Sequence, residues 1–272
     1  MIIGRKNFEL NKRTYIMGIL NVTPDSFSDG GKFNNINSAI EHAKQMIKEG
    51  ADIIDIGGES TRPQYQQISS QDEINRVVPI IKELKKEIPS CIISIDTYKS
   101  DVCEAAIFAG ADMINDIWGF KYDEKMADLA YKYKLPSCLM HNRNNTNYKN
   151  LIPDFLKDLE ECIKIAENHR VKKEQLILDP GIGFGKTYKQ NLDIMNNLDI
   201  IKNKFDLPIL LGTSKKSMIG KALGDVPTDK RNIGTIATTV LGITKGCNFI
   251  RVHDVKENKE ACVMTDTIIR RC

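Results

Sequence analysis

The chain has 272 residues, 41% of them hydrophobic and 28% charged, with a formal net charge of +3. That length suits one domain of about 250 residues, and the small net charge implies no nucleic-acid surface, although charge can still gather in one anion site. No apolar run approaches the roughly 18 residues needed to cross a bilayer, and residues 1–12 are too polar for a signal peptide.

Residues 2–10 precede the regular pattern and are expected to form a short hairpin across a barrel floor. From there apolar strand-like runs alternate with amphipathic stretches. A strand over 15–20 leads to a helix over 38–48, where Ala39, Ile40, Ala43, Met46 and Ile47 share one face. Ser38 and Glu41 read there as a capping box. The strand at 53–56 precedes a helix over 72–87 in which Pro79 is expected to kink the axis. The strand at 92–95 precedes a helix over 99–109. The strand at 113–117 leads to a helix over 124–133, and 137–140 to a helix over 154–169. The last three strands, 176–178, 209–211 and 249–252, precede helical segments at 188–204, 217–245 and 256–270. Gly50-Ala51-Asp52 and Gly110-Ala111-Asp112 recur between a helix and the next strand, with Gly246-Cys247-Asn248 a looser third copy. In each, glycine can end the helix in a left-handed conformation.

Eight βα units in one domain, 1–272, favour a closed (β/α)8 TIM barrel over an open doubly wound sheet, which usually carries fewer strands. The seven cysteines, Cys91, Cys103, Cys138, Cys162, Cys247, Cys262 and Cys272, are scattered, with no C-x-x-C pair. That argues for reduced thiols in the cytoplasm and against a disulfide frame or a zinc site.

Barrel active sites lie at the C-terminal strand ends. Those ends carry Asn21; Glu59 to Pro63; Asp96 and Thr97; Asn115 and Asp116; Met140, His141 and Asn142; Asp179 to Lys186; Thr213 to Ser217; and Arg251, His253 and Asp254. Singly, an Asp or Asn there is commonly a helix cap, and His141 reads as a satisfied rim residue. Jointly they sort into two sets. Asp96, Asn115, Asp179 and Lys216 suit a flat heterocycle with adjacent N–H donors and a carbonyl acceptor. Asn21, Thr61, Arg62, Ser214, Arg251 and His253 suit phosphate or pyrophosphate. Several familiar motifs fail. Pro180 occupies the first glycine position of a Walker loop, the run from Gly181 is G-x-G-x-G rather than G-x-G-x-x-G, and there is no G-x-S-x-G elbow. The four histidines show no metal-ligand spacing.

NVTPDSFSDGG at 21–31 and GGESTRP at 57–63 resemble the two signature loops of the dihydropteroate synthase family. SIDT at 94–97, NDI at 115–117, DPGIGFGK at 179–186, SKKS at 214–217 and RVHD at 251–254 resemble its remaining motifs, in order, over essentially the whole chain. The resemblance implies a transferase of folate synthesis. It would condense 6-hydroxymethyl-7,8-dihydropterin pyrophosphate with para-aminobenzoate, with Mg²⁺ assisting pyrophosphate release. It also implies a homodimer and inhibition by sulfonamides.

Matched by motif, Asp96, Asn115, Ile117, Met140, Asp179, Phe184, Gly212 and Lys216 would contact the pterin. Asn21, Thr61, Arg62, Ser214, Arg251 and His253 would bind pyrophosphate, Asn21 also lying near Mg²⁺. Thr61, Pro63, Phe184, Lys216 and Ser217 would line the para-aminobenzoate slot. Lys216, Arg62, Asp25 and Asp29 would act in catalysis, Asp29 stabilising positive charge on the pterin methylene. Two departures stand out: Lys215 replaces the family's usual Arg, and 142–147 is Asn-rich where a glycine often appears. Two related readings compete. A corrinoid-dependent pterin methyltransferase should not need GGESTRP or the Arg251/His253 pair, and a catalytically silent pterin-binding homologue should have lost Arg62, Lys216 or His253.

Overall fold

The computed structural model describes residues 1–22, 32–59 and 67–270. Among these, β1 (Ile2–Ile3) and β2 (Lys6–Asn7) form an antiparallel ribbon. The alternating part follows as β3 (Tyr15–Asn21), α1 (Lys32–Lys48), β4 (Ile53–Gly57), α2 (Ser70–Glu87), β5 (Ile93–Asp96), α3 (Ser100–Ala109), β6 (Met113–Asp116) and α4 (Lys125–Tyr133). It continues through β7 (Ser137–Met140), α5 (Leu151–Asn168), β8 (Leu176–Asp179), α6 (Tyr188–Asn196), α7 (Asp199–Phe205) and β9 (Leu210–Leu211). The chain then runs through α8 (Ser217–Ala222), α9 (Asn232–Thr244), β10 (Phe249–Val252) and α10 (Val255–Arg270).

Strands β3 to β10 make one parallel sheet in the order β8-β7-β6-β5-β4-β3-β10-β9. A parallel bridge from Leu178 to Ile209 brings its two ends together, so the sheet closes into the expected eight-stranded barrel. Strand alternation then sorts the interior into layers. Tyr15, Met17, Ile53, Ile92, Met113, Cys138, Ile177, Leu210 and Phe249 pack together as the lower interior, with Ile3 and Phe8 of the ribbon beneath them. The Phe8 ring lies 4.7 Å from Tyr15 and 5.9 Å from Phe249. A second, larger core fills the space between sheet and helices. Two residues further along the same strand faces stand Asp55, Ser94, Asn115, Met140, Asp179, Gly212 and Arg251. The barrel is thus apolar below and polar at its mouth.

Three expectations need correction. Helix α1 begins at Lys32, so Ser38 lies inside it and caps nothing. Ile36 packs on the core with Ala39, Ile40 and Ala43, which carries the apolar stripe a turn further back. Helix α2 is capped by Ser69, which accepts from Asp72 N, and it contains Pro79. The 188–204 segment divides into α6 and α7 at Asn197, whose side chain donates to Asp193 O in place of helix continuation. The 217–245 segment divides into α8 and α9, because Gly224 and Asp225 are both left-handed (φ 83° and 61°) and Pro227 follows. Gly50, Gly110 and Gly246 do adopt positive φ, at 106°, 118° and 95°.

Because the ribbon plugs the end opposite the polar mouth, Phe8→Ala should lower stability by about 3–5 kcal/mol yet leave kcat near wild type. Denaturant unfolding alongside steady-state kinetics checks this, and a loss of turnover in the folded variant would contradict the separation of floor and site.

Candidate active site

The polar layer is built around Arg251 on β10. Its Nε donates to Asp55 Oδ2 at 2.6 Å and one terminal nitrogen donates to Asp96 Oδ2 at 2.5 Å. Asn115 Nδ2 donates to the same Asp55 oxygen at 3.1 Å. Asp179, on β8, accepts from Gly181 N at 2.7 Å through Oδ1. A side chain added at Gly212 would meet Arg251 and Asp179 Oδ2 at 3.8 Å, so this glycine borders both. Lys216 directly precedes α8. Its Nζ donates to Ile182 O and lies 4.8 Å from the centre of the Phe184 ring. Met140 is buried, while Asn21, Ile117 and Phe184 are partly exposed.

Burial sets the protonation of this cluster. It pushes Asp96 up to about 7 against the pull of Arg251, with Asp55, Glu73 and Asp116 adding to the rise. It also raises Asp179, opposed mainly by Lys216. Lys216 is pushed down to about 8 by burial, with Asp179 holding it up. Burial works against the Arg251 charge too, but Asp55 and Asp96 outweigh it and raise its value.

Beside this cluster, Ser214 Oγ lies 2.9 Å from His253 Nδ1 and accepts from His253 N at 3.2 Å. Ser217 opens α8 as expected. The unusual Lys215 has φ 56° and pairs with Asp254 at 2.8 Å. The structure therefore brings together Asp96, Asn115, Asp179, Gly212, Lys216 and Arg251, with Ser214 and His253 alongside. Arg251, sorted by charge with the anion set, sits among the carboxylates. Asp25, Asp29, Thr61, Arg62 and Pro63 lie outside the described residues.

Asp55 escaped the sequence reading, and the partners of Asp116, His141 and Lys186 could not be read from it. Asp55 is fully buried, and its Oδ1 has no partner among the described residues. Its only signal was parity, two positions before Gly57 in an otherwise apolar strand. Asp116 does not join its neighbour Asn115 in the cluster; it accepts from Trp118 N at 2.7 Å and Phe120 N at 2.9 Å. Lys186 and His141 are buried partners with Nζ 2.7 Å from Nδ1, and burial pushes them down to about 7 and about 4. Among the described residues no group of three or more His, Cys, Asp or Glu could hold a metal ion, and no helix is long and apolar enough to cross a membrane.

Comparison with known proteins gives the same picture. The family model for pterin binding enzymes matches residues 17–253. A dihydropteroate synthase of Clostridium beijerinckii is 63% identical, covering 100% of both chains. The crystal structure of a dihydropteroate synthase from Clostridium difficile in the presence of pteroic acid superposes with a TM-score of 0.94 at 53% identity, over 97% of this chain and 100% of that one. A Xanthomonas albilineans dihydropteroate synthase with 4-aminobenzoic acid gives 0.90 at 35% identity, over 95% and 94%. The chain belongs to the pterin binding enzyme family and, within it, to the dihydropteroate synthases.

Proposed function

We propose that this barrel mouth joins 6-hydroxymethyl-7,8-dihydropterin pyrophosphate to para-aminobenzoate, giving 7,8-dihydropteroate and pyrophosphate, by means of the residues assembled there. The observation that carries the assignment is the convergence of Asp96, Asn115, Asp179, Lys216 and Arg251 at one rim. Carboxylates of Asp96 and Asp179 accept N–H bonds from the pterin, and Asn115 both donates and accepts. Ile117, Met140 and Gly212 border the ring. Phe184 and Lys216 flank para-aminobenzoate, with Thr61 and Pro63 completing its slot and Ser217 meeting its carboxylate at the start of α8. Asn21, Thr61, Arg62, Ser214, Arg251 and His253 attend the pyrophosphate.

The aromatic amine is neutral at pH 7, so no strong base is needed. Its nitrogen bonds to the pterin methylene carbon, the carbon–oxygen bond to pyrophosphate breaks, and the nitrogen releases a proton. The work of the protein is electrostatic: cations at the leaving group, carboxylates facing the pterin as positive charge develops. Asp25 and Asp29 belong to the second of these tasks.

Mg²⁺ fits this scheme as an ion shared with the substrate. The Asn21 amide oxygen, at the C-terminal end of β3, is of the hard oxygen type that Mg²⁺ takes and would hold it. When bound, the ion would neutralise charge on the leaving group. A homodimer is part of the same reading. It is supported by exposed Ile233 and Leu241 on α9 and Val263, Met264 and Ile268 on α10, two helices packed on each other. Six free, buried cysteines among the described residues support a cytoplasmic location. Sulfonamides, which imitate para-aminobenzoate, are expected to compete for its slot.

Pyrophosphate release should require both the pterin substrate and para-aminobenzoate. Arg62→Ala and Lys216→Ala should each lower kcat by about 10²–10³-fold with the fold retained by circular dichroism; normal turnover in both would refute the site. The pH dependence follows from the shifts. Asp96 must be ionised to accept N–H bonds, so kcat/KM for the pterin substrate falls below about pH 7. Lys216 loses its charge above about pH 8, which sets the alkaline limb. Lys216→Arg, whose guanidinium stays charged, should remove that limb, and an unmoved limb would reject its assignment to Lys216. Ile268→Glu should shift the sedimentation velocity species toward monomer; an unchanged assembly would place the contact elsewhere.

A further inference from the structure

We propose that Lys186 and His141 are positioning residues for the para-aminobenzoate end of the reaction, holding the 181–185 turn that carries Phe184 and orients Lys216. The inference rests on the reading that Phe184 and Lys216 flank para-aminobenzoate.

Lys186 Nζ donates to Gly181 O at 2.9 Å and to Phe184 O at 3.0 Å, the two ends of the turn. Carbonyls only accept, so these bonds take two of the three ammonium protons. The third meets His141 Nδ1 at 2.7 Å. His141 then carries its own proton on Nε2, which donates to Asp158 Oδ2 at 2.9 Å. Asp158 is gripped in turn by Arg143, through Nε at 2.5 Å and a terminal nitrogen at 3.0 Å. The buried chain Lys186–His141–Asp158–Arg143 thus has a donor facing an acceptor at every link.

The turn leaves no room for an alternative path. Gly181 (φ 63°) lies so close to the backbone that an added Cβ would sit 2.0 Å from His141 O, and one at Gly185 (φ 53°) would sit 2.8 Å from Arg143 N. Tyr148 OH donates to Gly185 O at 2.8 Å, and Gly183 N donates to Asn191 Oδ1 at 2.7 Å. Three features of the turn reach the candidate site: the Gly181 N–H, which donates to Asp179 Oδ1 at the foot of the turn, the Ile182 carbonyl, which accepts from Lys216 Nζ, and the Phe184 ring beneath that nitrogen. The Lys186 and His141 side chains make no hydrogen bond to Asp96, Asn115 or Arg251; toward Asp179 the Lys186 charge acts without a bond, and the His141 backbone N–H donates to its carbonyl at 2.9 Å. Asp179 is held by β8 itself, whereas Phe184 and the Ile182 carbonyl are held only by the turn, so loosening it should disturb para-aminobenzoate far more than the pterin.

Steady-state kinetics in both substrates test this with Lys186→Met and the milder Asp158→Asn, which keeps its shape but has lost the negative charge and turns an NH₂ group toward one of the three nitrogens of His141 and Arg143 that bond to Asp158. Lys186→Met should raise KM for para-aminobenzoate about ten-fold or more, with KM for the pterin substrate within about two-fold, since misplacement by about 1 Å is costly. Asp158→Asn should shift the same constant in the same direction by less. A purely structural role would move both KM values together, or neither, and either result overturns the proposal. Phe184→Ala separates it from the underlying site reading. If Phe184→Ala leaves KM for para-aminobenzoate unchanged, the slot assignment fails and this inference with it. If it raises that KM while the folded Lys186 and Asp158 variants do not, only this inference fails. Combined with Lys186→Met, its effect should be less than multiplicative; fully multiplicative factors would mean that Lys186 does not act through the turn. Should Lys186→Met fail to fold, Asp158→Asn decides: a selective shift supports the positioning role, and none overturns it.

Discussion

Three carboxylates, the buried Asp55 and Asp179 and the largely buried Asp96, share the barrel mouth with two cations, Arg251 and Lys216, and the organisation of the site follows from that imbalance. A buried charge is tolerable only when its lone pairs or protons are matched. Arg251 uses its planar fork to bridge Asp55 and Asp96, a geometry that an ammonium would not reproduce. Lys216 balances Asp179 by charge, while its hydrogen bond goes to the Ile182 carbonyl. The remaining negative potential falls on Asp96, raised to about 7 by burial. A ring that brings adjacent N–H groups supplies what the cluster lacks, and an anionic ring would be repelled.

The barrel makes this arrangement affordable in structural terms because strands impose alternation. The side chains that fill the lower interior and those that form the site belong to the same strand faces, two residues apart. The apolar layer, with the Phe8 ribbon below it, fixes the strands that carry Asp55, Asn115, Asp179 and Arg251. Rigid strand ends hold charged groups in place before substrate arrives, which is the condition for electrostatic stabilisation without reorganisation.

Much of this was legible in the sequence. Eight apolar runs were long enough to read as buried strands, and the polar residues after them marked the mouth. What escaped depended on information that pattern does not hold. Asp55 sits within an apolar strand, and only the register of β4 against its neighbours decides which parity faces inward. Arg251 carries a charge that suits an anion, but pattern does not show that Asp55 and Asp96 are already paired with it. Lys186 looked like a fragment of a failed phosphate loop, since its partner His141 lies 45 positions away. Ser38 matched a four-residue capping pattern, yet Ile36 extended the apolar stripe past it.

The replacement of the family's usual Arg by Lys215 shows how such departures should be weighed. The backbone there is left-handed, and the side chain turns to Asp254, next to His253 at the end of β10. A guanidinium still serves this turn, but it comes from Arg231: one terminal nitrogen donates to Lys215 O at 2.9 Å and Nε donates to Val226 O at 3.1 Å. Lys215 therefore needs only a point charge for its pairing with Asp254. The planar fork lost at 215 is not required by any contact that the residue makes, and its ammonium ties the strand-seven turn to the strand that carries Arg251.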